Sequence, residues 1–288
     1  MANLRAIRNK IRAIGNIRQI TKAMKMAAAA RLRRSQGRME AARPYAAKMY
    51  ELVATLAPVM RDADHPLLTA RPLKTMGVVV IAGDKGLCGS FNGNVLKAAQ
   101  QFIAAQTVPV ELITVGNKAA AFFTRRGRKP RLAVGTLPLK GAYEHAHAFA
   151  GQLTDLYTGG TVDAITIVYA KFVSNISQKP EQLQLLPIAP PDNAAGALAG
   201  DMIFEPGREE MLRQLLPLYL ETVVFAKLLE SLTGEFAARM AAMTAATDNA
   251  GEIIDRLTMT YNRARQTAIT TQIIEVTTGA EALRAAGA

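Results

Sequence analysis

The sequence predicts a mixed fold: an α/β domain, Rossmann-like in its alternation, inserted between the two halves of a long antiparallel α-helical coiled coil. Three observations carry this expectation. Apolar and small residues recur at alternating three- and four-residue spacings near both ends of the chain, short β-rich apolar runs alternate with Ala-rich stretches in the middle, and no proline follows Pro217.

The first seam begins with Leu4, Ile7, Ile11 and Ile14 and finishes with Ala28, Leu32, Ser35, Met39, Ala42, Ala46, Met49, Val53 and Leu56. A globular helix buries a wider face than this narrow stripe. At 1.5 Å per residue a helix over this span is roughly 80 Å long. The stripe changes character around Ile17, Arg18 and Thr21, where a slip of phase is expected. Pro44 removes a donor, so a bend or an unpaired carbonyl is expected there, and Pro58, Pro66 and Pro72 mark the end of the helix.

The second seam includes Phe236, Met240, Met243, Ala250, Ile254, Leu257, Tyr261, Ala264 and Ala268, on a helix expected from about Glu209 to Leu283. Glu209 and Glu210 suit the positive end of its dipole, while Gly234 and Gly251 weaken it by about 1 kcal/mol each relative to Ala. If Leu56 pairs with Leu212 at the base, antiparallel partners have numbers summing to about 268, which sets Ala28 against Met240 and leaves a lone C-terminal tip.

Between the seams, MGVVVIAG, VELITVG and VDAITIVYAKFV read as strands, and NVLKAAQQFIAA and EHAHAFAGQLTDLY read as helices. Strand and helix alternating predict a largely parallel sheet. SNISQKPEQLQLLPI adds a turn and a further strand. The expected division is 1–73 for the first long helix, 74–206 for the α/β domain and 207–288 for the second long helix.

Composition narrows the function. The net charge of +12 is concentrated in residues 1–60, where thirteen Lys and Arg face only Glu40 and Glu51; this segment expects an acidic partner, a phosphate backbone or an anionic surface. Residues 207–288 carry a net −2. One cysteine, Cys88, excludes an internal disulfide and a zinc site of ordinary spacing. The basic start lacks the long apolar run of a signal peptide, and no run of about 18 apolar residues spans a bilayer, so any membrane link is expected to go through a partner.

No catalytic, metal-binding or cofactor-binding constellation is apparent. GDKGLCGSFN, residues 83–92, lies between a strand and a helix, where phosphate loops occur, but lacks both GxxxxGK[ST] and GxGxxG. Its glycines read as tight-turn residues that allow close backbone approach, and Cys88 as a structural thiol. His65, His145 and His147 have no acidic cluster beside them that would make a metal site. The basic run KAMKMAAAARLRR is open to three readings: a nucleic-acid surface without stacking aromatics before Tyr45, a solvated coiled-coil face, or a shaft inside an acidic collar. A nucleotide-dependent enzyme built on the α/β domain is a further alternative.

ITKAMKMAAAARLRR with ARPYA in the first helix, GLCGSFN after the first strand, and AATDNAG and YNRARQTAITTQIIEVTTGAEAL in the last helix resemble the gamma subunit of bacterial F-type ATP synthases. The resemblance covers the whole chain in the same order of parts. It implies a central shaft with no catalytic site and no cofactor of its own, standing inside the ring of three alpha and three beta subunits. Its α/β domain would sit beside the epsilon subunit and the membrane rotor ring, or c-ring. The implied location is the cytoplasmic side of the bacterial cell membrane, held peripherally, with no nucleic-acid partner. Met24, Lys25, Arg239, Arg265, Gln266, Thr270 and Gln272 match positions in contact with beta or its neighbours, and Phe204 and Glu205 match the region that meets the rotor ring. The chain departs from the family where its ITxE pattern reads Ile269, Thr270, Thr271, Gln272, and where Lys25 replaces the acid of some relatives. The regulatory cysteine-bearing insertion of chloroplast relatives is missing.

Overall fold

The computed structural model describes residues 2–61, 63–138, 140–189, 205 and 207–286. The elements are α1 (Ala2–Thr55), α2 (Ala57–Arg61), β1 (Met76–Ile81), α3 (Phe91–Ala104), β2 (Val110–Val115), α4 (Asn117–Thr124), β3 (Leu132–Val134), α5 (Ala142–Thr158), β4 (Ala164–Phe172), β5 (Gln178–Leu186) and α6 (Arg208–Ala286). They form two compact units, Met1–Ala27 with Ala242–Ala288, and Ala28–Ala241.

In the first unit the N-terminal part of α1 pairs antiparallel with the C-terminal part of α6. Leu4, Ile7, Ile11, Ile14 and Thr21 are half-buried on α1, and Met243, Ala250, Ile254, Leu257, Tyr261, Ala264 and Ala268 are buried or half-buried on α6. Arg8 donates a 2.6 Å hydrogen bond to the Tyr261 hydroxyl, and the hydroxyls of Thr21 and Thr247 are hydrogen-bonded at 2.9 Å. A methyl group built on Gly251 would lie 3.7 Å from the Arg18 guanidinium carbon. The numbers of these pairs sum to 268 or 269, which is the expected register.

The expected slip of phase does not occur. Counting in threes and fours from Ile14 passes through Arg18 and Thr21 to Ala28 without a break, and Ile17 is 52 % exposed, off the stripe. A long polar side chain occupies the seam position instead, and Gly251, lacking a side chain, leaves it room.

In the second unit five strands form one sheet in the order β3-β2-β1-β4-β5. β3, β2, β1 and β4 run parallel, and β5 pairs antiparallel with β4 at the edge. The chain leaves β1 through α3 toward β2 and returns through α5 to β4 on the other side of β1, so the strand order reverses at β1, as in a doubly wound fold. Alternation along the strands separates two cores. Val78, Val80 and Ala82 pack with Phe91, Val95, Ala99 and Phe123 of α3 and α4. Val79, Ile81, Ile113 and Ile167 pack with Phe149 and Leu153 of α5, Leu32 and Val53 of α1, and Leu216, Leu220, Val224 and Leu228 of α6.

The elements refine the expectations from the sequence as follows. α4 and β3 belong to the sheet domain although no strong periodic run announced them, because they are short and half-covered. α1 continues as one helix through Pro44 to Thr55, since one lost backbone bond is small beside the seam on either side. α6 begins at Arg208 and includes Pro217, and it ends at Ala286, just beyond the expected Leu283. Glu209 and Glu210 lie in its first turn as expected.

Candidate functional site

The crevice beyond the carboxyl end of β1 is where doubly wound sheets hold ligands. In this chain it is closed by the chain itself. Leu228, Ser231, Leu232 and Glu235 of α6 come against Ile81, Ala82, Val115 and Thr136, leaving a hollow of about 10 Å³. That is room for roughly one water molecule, not for a nucleotide.

The GDKGLCGSFN loop is fastened across this crevice. Arg239 on α6, buried and paired with Glu235 at 2.5 Å, donates hydrogen bonds to the carbonyls of Lys85 and Gly86, each at 3.3 Å. Gly83 is required because a Cβ there would fall 2.7 Å from the Glu235 carboxylate. Its N–H donates to Asn92 Oδ1 at 2.8 Å, and the Asn92 amide donates to the Lys85 carbonyl at 3.2 Å and to Cys88 Sγ at 3.1 Å. On the other side Asp84 accepts from the Asn117 N–H at 2.9 Å and from the Thr136 hydroxyl at 2.6 Å.

The charges follow from this geometry. Burial pushes the Glu235 carboxyl above its ordinary range, with Arg239 partly offsetting it. Burial also acts to raise Asp84, but the Thr136 and Asn117 hydrogen bonds outweigh it and hold that carboxyl below its usual range. The Cys88 thiol is raised by burial, the opposite of what a nucleophile needs. His147 Nδ1 lies 2.9 Å from the Glu221 carboxylate, while His65 Nδ1 accepts from the Leu67 N–H and is lowered by burial. His65 and His147 thus lie in separate settings, and no cluster of three potential metal-binding side chains occurs among the described residues.

The residues picked from sequence as partner contacts fall into separate groups. Met24 and Lys25 are half-buried on α1. Arg265, Gln266, Thr270 and Gln272 are exposed on α6, and the Thr270 hydroxyl donates to the Gln266 carbonyl at 3.0 Å. Arg239 is turned inward to the loop carbonyls. Glu205 is exposed, and Phe204 lies outside the described residues. Sequence reasoning missed Glu235, whose i, i+4 spacing to Arg239 in an Ala-rich helix was its one signal, and missed Asp84 and Asn92 as anchors of the loop.

A second feature is the outer surface of the paired helices in the first unit. Ile17, Ile20 and Met26 on α1 and Met259, Ile269, Ile273, Ile274 and Val276 on α6 are each 48 % exposed or more. Ile269, Ile273, Ile274 and Val276 lie past the register partner of Ala2, on the part of α6 that α1 does not reach, and exposed apolar side chains in this number mark a candidate surface for other chains.

One unit of long antiparallel helices with exposed apolar side chains, and another with a doubly wound sheet whose ligand crevice α6 fills, define the class of long-helix subunits with an inserted α/β domain. A family model described as ATP synthase matches residues 3–283. The ATP synthase gamma chain of Desulfitobacterium hafniense is 46 % identical over 287 residues, covering 98 % of this chain and all of the relative. That of an Anaeromyxobacter species is 43 % identical over 291 residues, covering 99 % of this chain and all of the relative. This chain belongs to the ATP synthase gamma chain family. Among solved structures, the central stalk and c-ring of Tetrahymena thermophila mitochondrial ATP synthase contains a chain 29 % identical with a TM-score of 0.61, covering 79 % of this chain and 99 % of its own. A chain of the Euglena gracilis mitochondrial ATP synthase has a TM-score of 0.68 at 18 % identity, covering 99 % of this chain and 95 % of its own, and shares the fold.

Proposed function

We propose that this chain is the central rotor shaft of a bacterial F-type ATP synthase, coupling proton movement through a membrane rotor ring to ATP synthesis and hydrolysis at sites in other subunits. The observation that carries it is full-length identity of 46 % to a gamma chain. The helix register and the exposed apolar residues of the first unit support it, because a shaft must offer a surface to surrounding subunits along its helices.

In this reading the paired helices engage the alpha and beta ring, through Met24, Lys25, Arg265, Gln266, Thr270 and Gln272. Arg239 acts on that contact through the loop it holds. Glu205 with Phe204 meets the rotor ring, and the α/β domain meets the epsilon subunit. Residues 1–73 and 207–288 serve as the shaft and residues 74–206 as the domain that receives torque. The asymmetry of two unequal helices presents a different face to each of three catalytic sites as it turns, so that binding, synthesis and release alternate. The chain itself supplies no catalytic group: its crevice is filled by α6, and Cys88 is buried. It sits peripherally on the cytoplasmic face of the membrane, consistent with the finding that no described helix is long and apolar enough to cross one.

Addition of the purified chain to isolated alpha and beta subunits should restore ATP hydrolysis that the two lack without it. Unchanged hydrolysis with the chain present would refute the shaft reading.

A further inference from the structure

We propose that the turn Arg125–Arg131 is a contact surface for anionic lipid headgroups, resting on the reading of this chain as a membrane-associated shaft. Arg125, Arg126, Arg128, Lys129 and Arg131 place five cations within seven residues, with no acid among them. All five are exposed.

The turn is built rather than loose. The Arg126 and Arg128 N–H groups donate to the Phe123 carbonyl, the Gly127 N–H donates to that of Thr124, and the Arg131 N–H donates to that of Leu112. Gly127 supplies the left-handed conformation, φ 76°, that closes the bend. Arg126 lies with its guanidinium carbon 3.6 Å from the Phe122 ring centre and donates to the Phe122 carbonyl. One carboxylate stands nearby, Glu111, 3.8 Å from Arg131. Arg125, Arg128 and Lys129 have no ion-pair partner among the described residues.

Two further features favour lipid over a protein partner. Among the described residues, no large apolar side chain is exposed between Cys88 and Ala142, whereas protein interfaces centre on apolar and aromatic residues. The surface therefore offers charge without an anchor, which suits a diffuse negative surface acting within a screening length of about 10 Å. Beside it, Arg128, Lys129, Gln106 and Glu111 line an open hollow of about 520 Å³, large enough for a phosphate headgroup. The turn lies at the amino end of β3, whereas the loop held by Glu235 and Arg239 lies beyond the carboxyl end of β1, and these strands run parallel. The sheet domain thus presents this charge at the end of its parallel strands opposite to the α6 latch. A surface that attracts without inserting also allows a turning shaft to slide past successive headgroups.

The test uses the complex of this chain with its alpha and beta subunits, in which the basic N-terminal helix is covered. Sedimentation is measured with vesicles of phosphatidylcholine alone and with vesicles containing phosphatidylglycerol, at about 0.1 M salt. The quadruple variant Arg125→Gln, Arg126→Gln, Arg128→Gln, Lys129→Gln should bind the anionic vesicles about tenfold or more weakly than the wild type, since each charge near such a surface contributes on the order of 1 kcal/mol. Its unchanged circular dichroism spectrum and assembly would show that exposed side chains alone were altered. Equal binding by variant and wild type overturns the proposal. So does equal wild-type binding to neutral and anionic vesicles, or retention by an acidic protein subunit without vesicle binding. If the chain does not assemble with alpha and beta, the shaft reading fails instead. The four-residue comparison is then made on the isolated chain carrying Arg31→Gln, Arg33→Gln, Arg34→Gln and Arg38→Gln, where the same loss of vesicle binding supports the surface and its absence overturns it.

Discussion

Glu235 and Arg239 show how far a buried ion pair can be asked to act. Each alone is a liability in a core, and each is tolerated because the other, with two loop carbonyls, satisfies it. Arg239→Ala leaves a carboxylate buried without its partner and should destabilise the chain by about 3–5 kcal/mol near neutral pH. The pH dependence carries the sign. A carboxyl raised in the folded state binds its proton more readily folded than unfolded, so this group's contribution falls as pH rises from the ordinary carboxylate range through the raised folded value. Removing Arg239 raises that value further. The deficit of Arg239→Ala relative to wild type should therefore shrink as pH is lowered toward the carboxylate range, as read by thermal unfolding across pH. A deficit that stayed constant would mean that Glu235 is not the stranded group. Asp84 runs the other way: its carboxyl is depressed, so its contribution is present above the ordinary carboxylate range and is lost as pH falls through the folded value. Gly116 marks a different residue-scale constraint. Its φ is 89° and a Cβ would fall 2.1 Å from the Ala82 carbonyl oxygen, so backbone would have to move. Gly116→Ala should cost about 3 kcal/mol or more by urea unfolding.

At the scale of elements, the seams were legible because a coiled-coil stripe obeys one geometric rule over many residues, and every small error averages out. Ala28, Leu32, Ser35, Met49, Val53 and Leu56 are all buried where the spacing put them. The supposed slip at Arg18 was a matter of residue type, since periodicity read from hydrophobicity cannot see a cation seated opposite a glycine. α4 and β3 were not legible for the converse reason: eight and three residues are too few to establish a period. The latch was hidden because Arg239 and Lys85 are distant in sequence and only the fold brings them together. Two outcomes follow from the register. In a Cys88→Ser background, Thr21→Cys with Thr247→Cys should form an intramolecular disulfide on oxidation, because facing side chains 2.9 Å apart lie within reach of a disulfide's ~7 Å Cα limit. Failure to link, seen as unchanged gel mobility, would move the register. Gly251→Ala should stabilise α6 by up to about 1 kcal/mol, since a methyl there meets Arg18 at ordinary contact distance. Gly234→Ala should gain less, because its methyl would press on Gln178 and Phe91 at 3.2 and 3.3 Å.

For the whole molecule, the division of labour between stability and coupling can be tested at one position. The second unit holds the two hydrophobic cores of the sheet domain, while in the first unit every described residue from Ile269 to Glu281 is exposed. Side chains there can contribute little to the stability of the isolated chain, because folding removes almost none of their surface from water. Gln272 is one of them, and it stands where the gamma-subunit pattern carries a carboxylate. Gln272→Glu adds one exposed charge on a helix with no partner among the described residues, so the melting temperature of the isolated chain should stay within the small range of surface substitutions. In the assembled enzyme the same position is proposed to lie against the alpha and beta ring, where a new charge meets a low-dielectric, partly desolvated neighbour and its effect grows. The expected outcome is an altered ratio of ATP-driven proton pumping to ATP hydrolysis, at unchanged assembly. A loss of melting temperature in the isolated chain, comparable with that of Gly116→Ala, would show that the tip contributes to folding after all. A pumping ratio identical to wild type would remove Gln272 from the coupling contact and leave Arg265, Gln266 and Thr270 to account for it.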